Sequence, residues 1–137
     1  MIDERTAPYG AAILRITAGL MFLAHAAYKL LVFTPAGTMH YFASLGLPGW
    51  LGLVVIAAET LAGLALVLGV YARIAAILIL ADLLGAIWLV HLKNGFYFAA
   101  PNGGGWEYPV FWSMTLIVVA LLGDGAWALR PTAFSRR

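Results

Sequence analysis

Four long apolar runs, each near the length that crosses a bilayer, constrain this chain more than any other feature. A hydrocarbon core of about 30 Å takes about 20 residues of helix. The runs extend from about Gly10 to Val32, Trp50 to Gly69, Arg73 to Leu92 and Trp106 to Leu122. In lipid every backbone N–H and C=O must be bonded internally, so runs like these form helices, and the alternation that a membrane β-barrel needs is absent. Of 137 residues 64% are hydrophobic and 10% charged, which leaves too little polar side chain to cover a soluble domain. The expected fold is all-α, an integral-membrane four-helix bundle. Residues 1–131 read as one transmembrane domain and 132–137 as a frayed, polar cytoplasmic tail.

Charge and residue chemistry remove other classes. Eight Lys and Arg against six Asp and Glu give a net charge of +2. That is too few cations for a phosphate-tracking stripe, and no nucleic-acid partner is expected. With no cysteine, the chain has no thiolate nucleophile, disulfide relay or iron–sulfur ligand of its own. Ala24-His25-Ala26 imitates a signal cleavage site, but Asp3 and Glu4 precede the first run and Arg15 interrupts it, so retention as a spanning helix is expected. Arg5, Arg15, Arg73, Arg130, Arg136 and Arg137 fall at or near one side if four helices alternate, and mainly Lys29 and Lys93 at the other. The positive-inside rule then predicts both termini in the cytoplasm.

Local signals shape the two outer connections. Thr34 suits an N-cap, Pro35 the first helical position, Gly46 a helix end, and Pro48 blocks continuation, so a short interfacial helix is expected over about 35–45. Residues 93–105 mix aromatics with turn residues and suit the headgroup level or a lid over a pocket. Ala58 and Ala62, Ala72 and Ala76, and Ala81 and Gly85 have the four-residue spacing that lets helices approach closely.

Ionisable groups inside spanning helices are costly, and each is a functional candidate. At about 1.5 Å per residue, Glu59 and Asp82 fall near the midplane, His25 roughly 6 Å outward of its helix centre and Lys29 roughly 12 Å. His91 and Glu107 sit near the outer boundary. His25 and Lys29 share one helix face. A midplane carboxylate needs a proton or a partner, and His25 is the preferred partner for Glu59. All four helices thus place polar groups in the outer half, which predicts one outward-opening pocket covered by the aromatics of Phe96–Tyr108. Asp82 reads as a tie to Thr17, Thr60 or Ser113, and Arg15 as the partner of a carboxylate such as Asp124. His25 and His91 make a weak haem clamp, and no Glu-x-x-His spacing supports a metal; neither haem nor metal is expected.

Several segments together are recognisable. These are His25-Ala26-Ala27-Tyr28-Lys29-Leu30, Leu45-Gly46-Leu47-Pro48, Ala58-Glu59-Thr60-Leu61-Ala62-Gly63-Leu64 running on to Gly69 and Arg73, His91 with Asn94-Gly95-Phe96, and Gly104-Gly105-Trp106-Glu107-Tyr108-Pro109. They resemble the DoxX family from about Gly10 to Leu129. The resemblance implies a small inner-membrane protein of four helices, kinship with the membrane subunit of thiosulfate:quinone oxidoreductase, and a place in membrane redox complexes. Carried onto this chain, Arg15, His25, Lys29, Glu59, Arg73, His91 and Glu107 would be the family's polar signature. Ala26 departs from the family's frequent Gly, and Asp82 lies outside the pattern.

The leading expectation is a quinone-interacting membrane subunit. Glu59 and His25 would be its catalytic pair, with Lys29, His91 and Glu107 binding and Tyr28, Phe96, Trp106 and Tyr108 lining the slot. Arg15, Arg73 and Asp82 would be structural polar residues. Electrons would have to arrive from a peripheral redox enzyme, and lipid and a second copy are further expected partners. The alternatives are a small-solute or proton-coupled transporter built on Glu59 and Asp82, and a non-catalytic lipid-binding scaffold.

Overall fold

The computed structural model describes residues 3–101 and 103–133. Five helices follow one another: α1 (Ala7–Leu31), α2 (Thr34–Ser44), α3 (Trp50–Leu68), α4 (Ala72–Ala86) and α5 (Glu107–Leu122). Beyond Ala86, α4 continues through a wide π-turn at Ile87–His91 and a 3₁₀ turn at Leu92–Asn94. The described residues form no strand, only an isolated parallel bridge between Val70 and Arg130.

Three helices, Ala7–Leu31, Trp50–Leu68 and Ala72–Asn94, are long and apolar enough to cross a membrane. The fourth run is shorter than expected: α5 has 16 residues, about 24 Å of helix. It still runs the length of the bundle beside α4. Glu107 N–H at its start donates to the carbonyl of Phe96 just past α4, and Arg73 near the start of α4 donates to the carbonyl of Leu121 at its end. Leu61, Leu78, Phe111 and Leu121 are each between 68% and 74% exposed, a waist that water would not tolerate and acyl chains suit.

The core joins Ala18 and Phe22 of α1, Leu66 of α3, Ala76, Ile79 and Leu83 of α4, and Trp112, Leu116 and Val119 of α5. Its tightest crossing, between α1 and α3, is made at glycines rather than at the expected small-residue pairs. A Cβ on Gly19 would lie 2.8 Å from the Gly63 carbonyl oxygen, and one on Gly63 2.8 Å from Leu23 Cγ. Ala72 and Ala76 are fully buried, whereas Ala81 and Gly85 border a cavity and hold no helix together.

α2 forms where its local signals place it. Thr34 Oγ1 accepts the amide of Gly37, and the left-handed Gly46 lets Leu47 N–H reach back to Phe42 O, which closes the helix.

Both described ends of the chain meet at one end of the bundle, the basal end, and the residues after α5 strap it shut. A helix leaves its last four carbonyls without intrahelical donors. For α3 these belong to Ala65, Leu66, Val67 and Leu68. Val70 N–H takes the first, Arg15 Nη1 takes the second and third at 2.6 and 2.8 Å, and Leu129 N–H takes the fourth. Arg15 Nη2 also donates to Ala126 O at 3.0 Å. Arg15, fully buried, thus caps a helix with its cationic fork where the helix dipole is negative. The expected pairing with Asp124 does not form. Asp124 instead accepts Ala72 N–H at the start of α4 and both the N–H and hydroxyl of Thr132. Gly69 is left-handed, and its hydrogen faces the Arg15 guanidinium, where a Cβ would come within 2.9 Å.

One expectation about this end changes. Thr132 is buried and bonded, so the frayed tail does not begin there; residues 134–137, with Arg136 and Arg137, lie outside the described residues. Arg73 lies against Leu121 and Gly123.

Candidate functional site

At the distal end, opposite the strap, the helices splay around a cavity of about 1040 Å³. Every helix contributes to its wall: His25, Tyr28 and Lys29 from α1, Tyr41 and Phe42 from α2, Val55 and Glu59 from α3, Ala81, Asp82, Leu83, Gly85 and Ala86 from α4, and Tyr108 and Trp112 from α5. The lining is mostly aromatic and aliphatic, with its charges gathered on α1, α3 and α4.

The charge centre is an ion pair. Lys29 Nζ donates to both Glu59 oxygens at 2.7 Å, and the two side chains are 23% and 5% exposed. This corrects the expected partnership of Glu59 with His25. His25 Nδ1 instead meets the carbonyl of Met21, one turn back, at 2.9 Å, while its ring lies 4.9 Å from that of Trp112. The long stem of Lys29 brings its ammonium to the carboxylate across the α1–α3 contact.

Asp82 is the residue the sequence misplaced. It borders the same cavity as the pair, and none of the described residues donates to it. Two of the three hydroxyls expected to donate to it are engaged on their own helices, Thr60 with Ile56 O and Ser113 with Pro109 O. A signal for this existed: Asp82, Gly85 and Leu89 recur at helical spacing and form one face of α4. Trp112 was also missed, although it lies one turn after Tyr108 on α5.

The second connection divides the remaining candidates. His91 and Tyr108 border the cavity; Phe96, Trp106 and Glu107 do not. Glu107 accepts Phe98 N–H at 3.0 Å, and the Phe96 and Trp106 rings meet edge to face at 4.7 Å. These three hold the connection in place, and from it Phe98 and Gly104 reach the cavity. His91 Nδ1 and Asn94 Nδ2 both converge on Gly104 O, at 2.7 and 3.2 Å. Gly105 sits where any Cβ would strike the carbonyls of residues 95–97. Tyr108 hydroxyl has only a weak acceptor, Met21 Sδ at 3.7 Å. Among the described residues no three His, Asp or Glu side chains are grouped to hold a metal ion.

A π-turn closes the cavity's α4 wall, and π-turns are often found at functional sites. No break in any helix is visible in the sequence, because Ile87–His91 continues the apolar run without Pro or Gly.

The DoxX family model matches residues 10–92. The chain belongs to the DoxX family. The match ends before the Gly104–Pro109 segment, but two relatives extend over it. A Bacillus subtilis (strain 168) protein named "Putative oxidoreductase CatD" is 34% identical over 91% of this chain and 87% of its own length. An uncharacterized Haemophilus influenzae protein is 30% identical over 97% of both chains. No solved structure matches significantly. This DoxX protein is a membrane protein whose apolar helices enclose a largely apolar cavity with a few charged groups in its wall.

Proposed function

We propose that this DoxX protein is the membrane subunit of a redox complex and holds a quinone head group in its distal cavity. The observation that carries the reading is the cavity itself. It is at the upper end of the size of small-molecule sites, apolar over most of its wall, and polar at a few converging groups. A relative's name supports the redox class. His25, Lys29, Asp82 and Tyr108 would orient a ring bearing two oxygens, and Tyr28, Phe42 and Trp112 would pack on it. The chain has no cysteine and no flavin motif, so electrons would pass to or from a peripheral partner enzyme.

A blocked cavity tests this. Gly85 borders the cavity, and a Cβ there meets nothing within 4 Å. Gly85→Phe is therefore expected to fold with wild-type thermal stability while its ring fills the site. Affinity for a short-chain benzoquinone, titrated in detergent or nanodiscs, should fall by at least about tenfold. Absence of saturable binding to the wild type, or binding unaffected by the ring, would remove the reading.

The same reading places the protein in the inner membrane with the basal end cytoplasmic, since Arg5, Arg73 and Arg130 lie there. Single cysteines are informative in a chain that has none. Ser44→Cys should react with an impermeant maleimide from outside intact cells and Thr6→Cys only after permeabilisation. Both reacting from one side would refute the topology.

A further inference from the structure

We propose that the distal cavity recognises the hydroxyl-bearing form of its aromatic ligand, a hydroquinone or related phenol, in preference to the carbonyl-bearing quinone. This rests on the reading of the cavity as a quinone site and specifies which redox form it selects.

The argument begins with histidine tautomers. A backbone carbonyl can only accept a hydrogen bond, so a ring nitrogen bonded to one carries the proton. His25 Nδ1 is bonded to Met21 O at 2.9 Å and His91 Nδ1 to Gly104 O at 2.7 Å. In each neutral ring Nε2 is then left with a lone pair and no proton. Neither Nε2 has a partner among the described residues, and both rings border the cavity. Two histidines on different helices are thus fixed, by separate backbone contacts, as acceptors.

Asp82 adds an acceptor to the same side. It borders the cavity, receives no donor from the described residues, and its carboxyl keeps an acceptor oxygen whether or not it carries a proton. The other carboxylate, Glu59, is already held through both oxygens by Lys29. Donors are fewer. Two of the three Lys29 N–H groups point to Glu59, Tyr108 hydroxyl rests on a thioether sulfur, and the indole N–H of Trp112 is buried without an acceptor. A quinone offers two acceptors and needs donors; a hydroquinone offers two donors and needs acceptors. The wall has a surplus of unpartnered acceptors, and a ligand hydroxyl that closes over them supplies the donor they lack, whereas a quinone carbonyl would face them lone pair to lone pair. Shape does not separate the two ligands, because both are planar rings of nearly the same size. Hydrogen-bond polarity does.

The test uses tetramethylhydroquinone, its dimethyl ether and tetramethylbenzoquinone, titrated anaerobically against the wild-type protein with tryptophan emission as the readout. Trp112 borders the site and reports occupancy. The hydroquinone is expected to bind about tenfold more tightly than either the ether or the quinone, the size of one charge-assisted hydrogen bond. Asp82→Asn, which keeps the shape and replaces one acceptor by a donor, should reduce this preference severalfold. An ether or quinone that binds as tightly as the hydroquinone would overturn the proposal and leave the quinone site standing. If none of the three binds, the site reading itself fails. The ligand comparison on the wild type needs no variant to fold.

Discussion

Glu59→Ala is expected to be among the most destabilising changes that can be made at the distal end. The carboxylate is 5% exposed and accepts both of its hydrogen bonds from one ammonium, which is itself only 23% exposed. Removing one partner of a buried pair leaves the other charged and unpaired, at a cost of about 3–5 kcal/mol. The partial exposure of Lys29 to the cavity places the expected loss toward the lower end of that range. The double variant Lys29→Met with Glu59→Met should recover much of the loss, because two apolar side chains of similar length need no partner. Equilibrium unfolding in detergent, arranged as a double-mutant cycle, reads the coupling directly. A Glu59→Ala variant as stable as the wild type would show that the pair is not held as described. Ligand binding separates stability from function here: the double variant should be stable yet bind the quinone probe poorly, since Lys29 and Glu59 set the polarity of the wall.

The sequence made the helices legible because their signals are local. Apolar length sets α1, α3 and α4, and Thr34, Gly46 and Pro48 set the limits of α2 without reference to any other part of the chain. It also showed that polar groups gather in the distal half, since depth follows from counting residues along a helix. Which of those groups meet could not be read the same way. Partnership depends on how each helix is rotated about its axis, and that is decided by packing such as the Gly19–Gly63 crossing. Lys29 reaches Glu59 because of that crossing; His25, one turn away on the same face, finds a carbonyl of its own helix first.

Glu107 shows a different limit. Its position at a helix start is equally consistent with facing the cavity and with receiving a loop amide, and the irregular loop that supplies the Phe98 N–H has no periodicity to read. The strap after α5 was hidden for the same reason. Gly123-Asp124-Gly125 marks a tight turn, but the demand it meets, the uncapped ends of α3 and α4, arises only after the bundle has assembled.

That demand makes Arg15 the second residue with a large expected effect. Arg15→Met removes donors to the carbonyls of Leu66, Val67 and Ala126, the first buried and the other two partly so, around a side chain that is itself fully buried. Each buried carbonyl left unsatisfied costs about 1–3 kcal/mol, so a total loss of at least about 3 kcal/mol is expected. The conservative Arg15→Lys should rescue little, because a single ammonium cannot match a planar fork that reaches α3 through one nitrogen and the strap through the other. The predicted lesion is also local. Protease should cut the released strap at residues 123–133 before the rest of the protein unfolds, whereas wild-type protein resists at that site. The distal cavity lies at the other end of the bundle, so any Arg15→Lys protein that stays folded should still bind the quinone probe. Loss of binding in folded, protease-resistant protein would instead assign Arg15 to the ligand site. Wild-type stability in Arg15→Met would mean that the α3 carbonyls find other donors, and that the strap does not depend on the arginine.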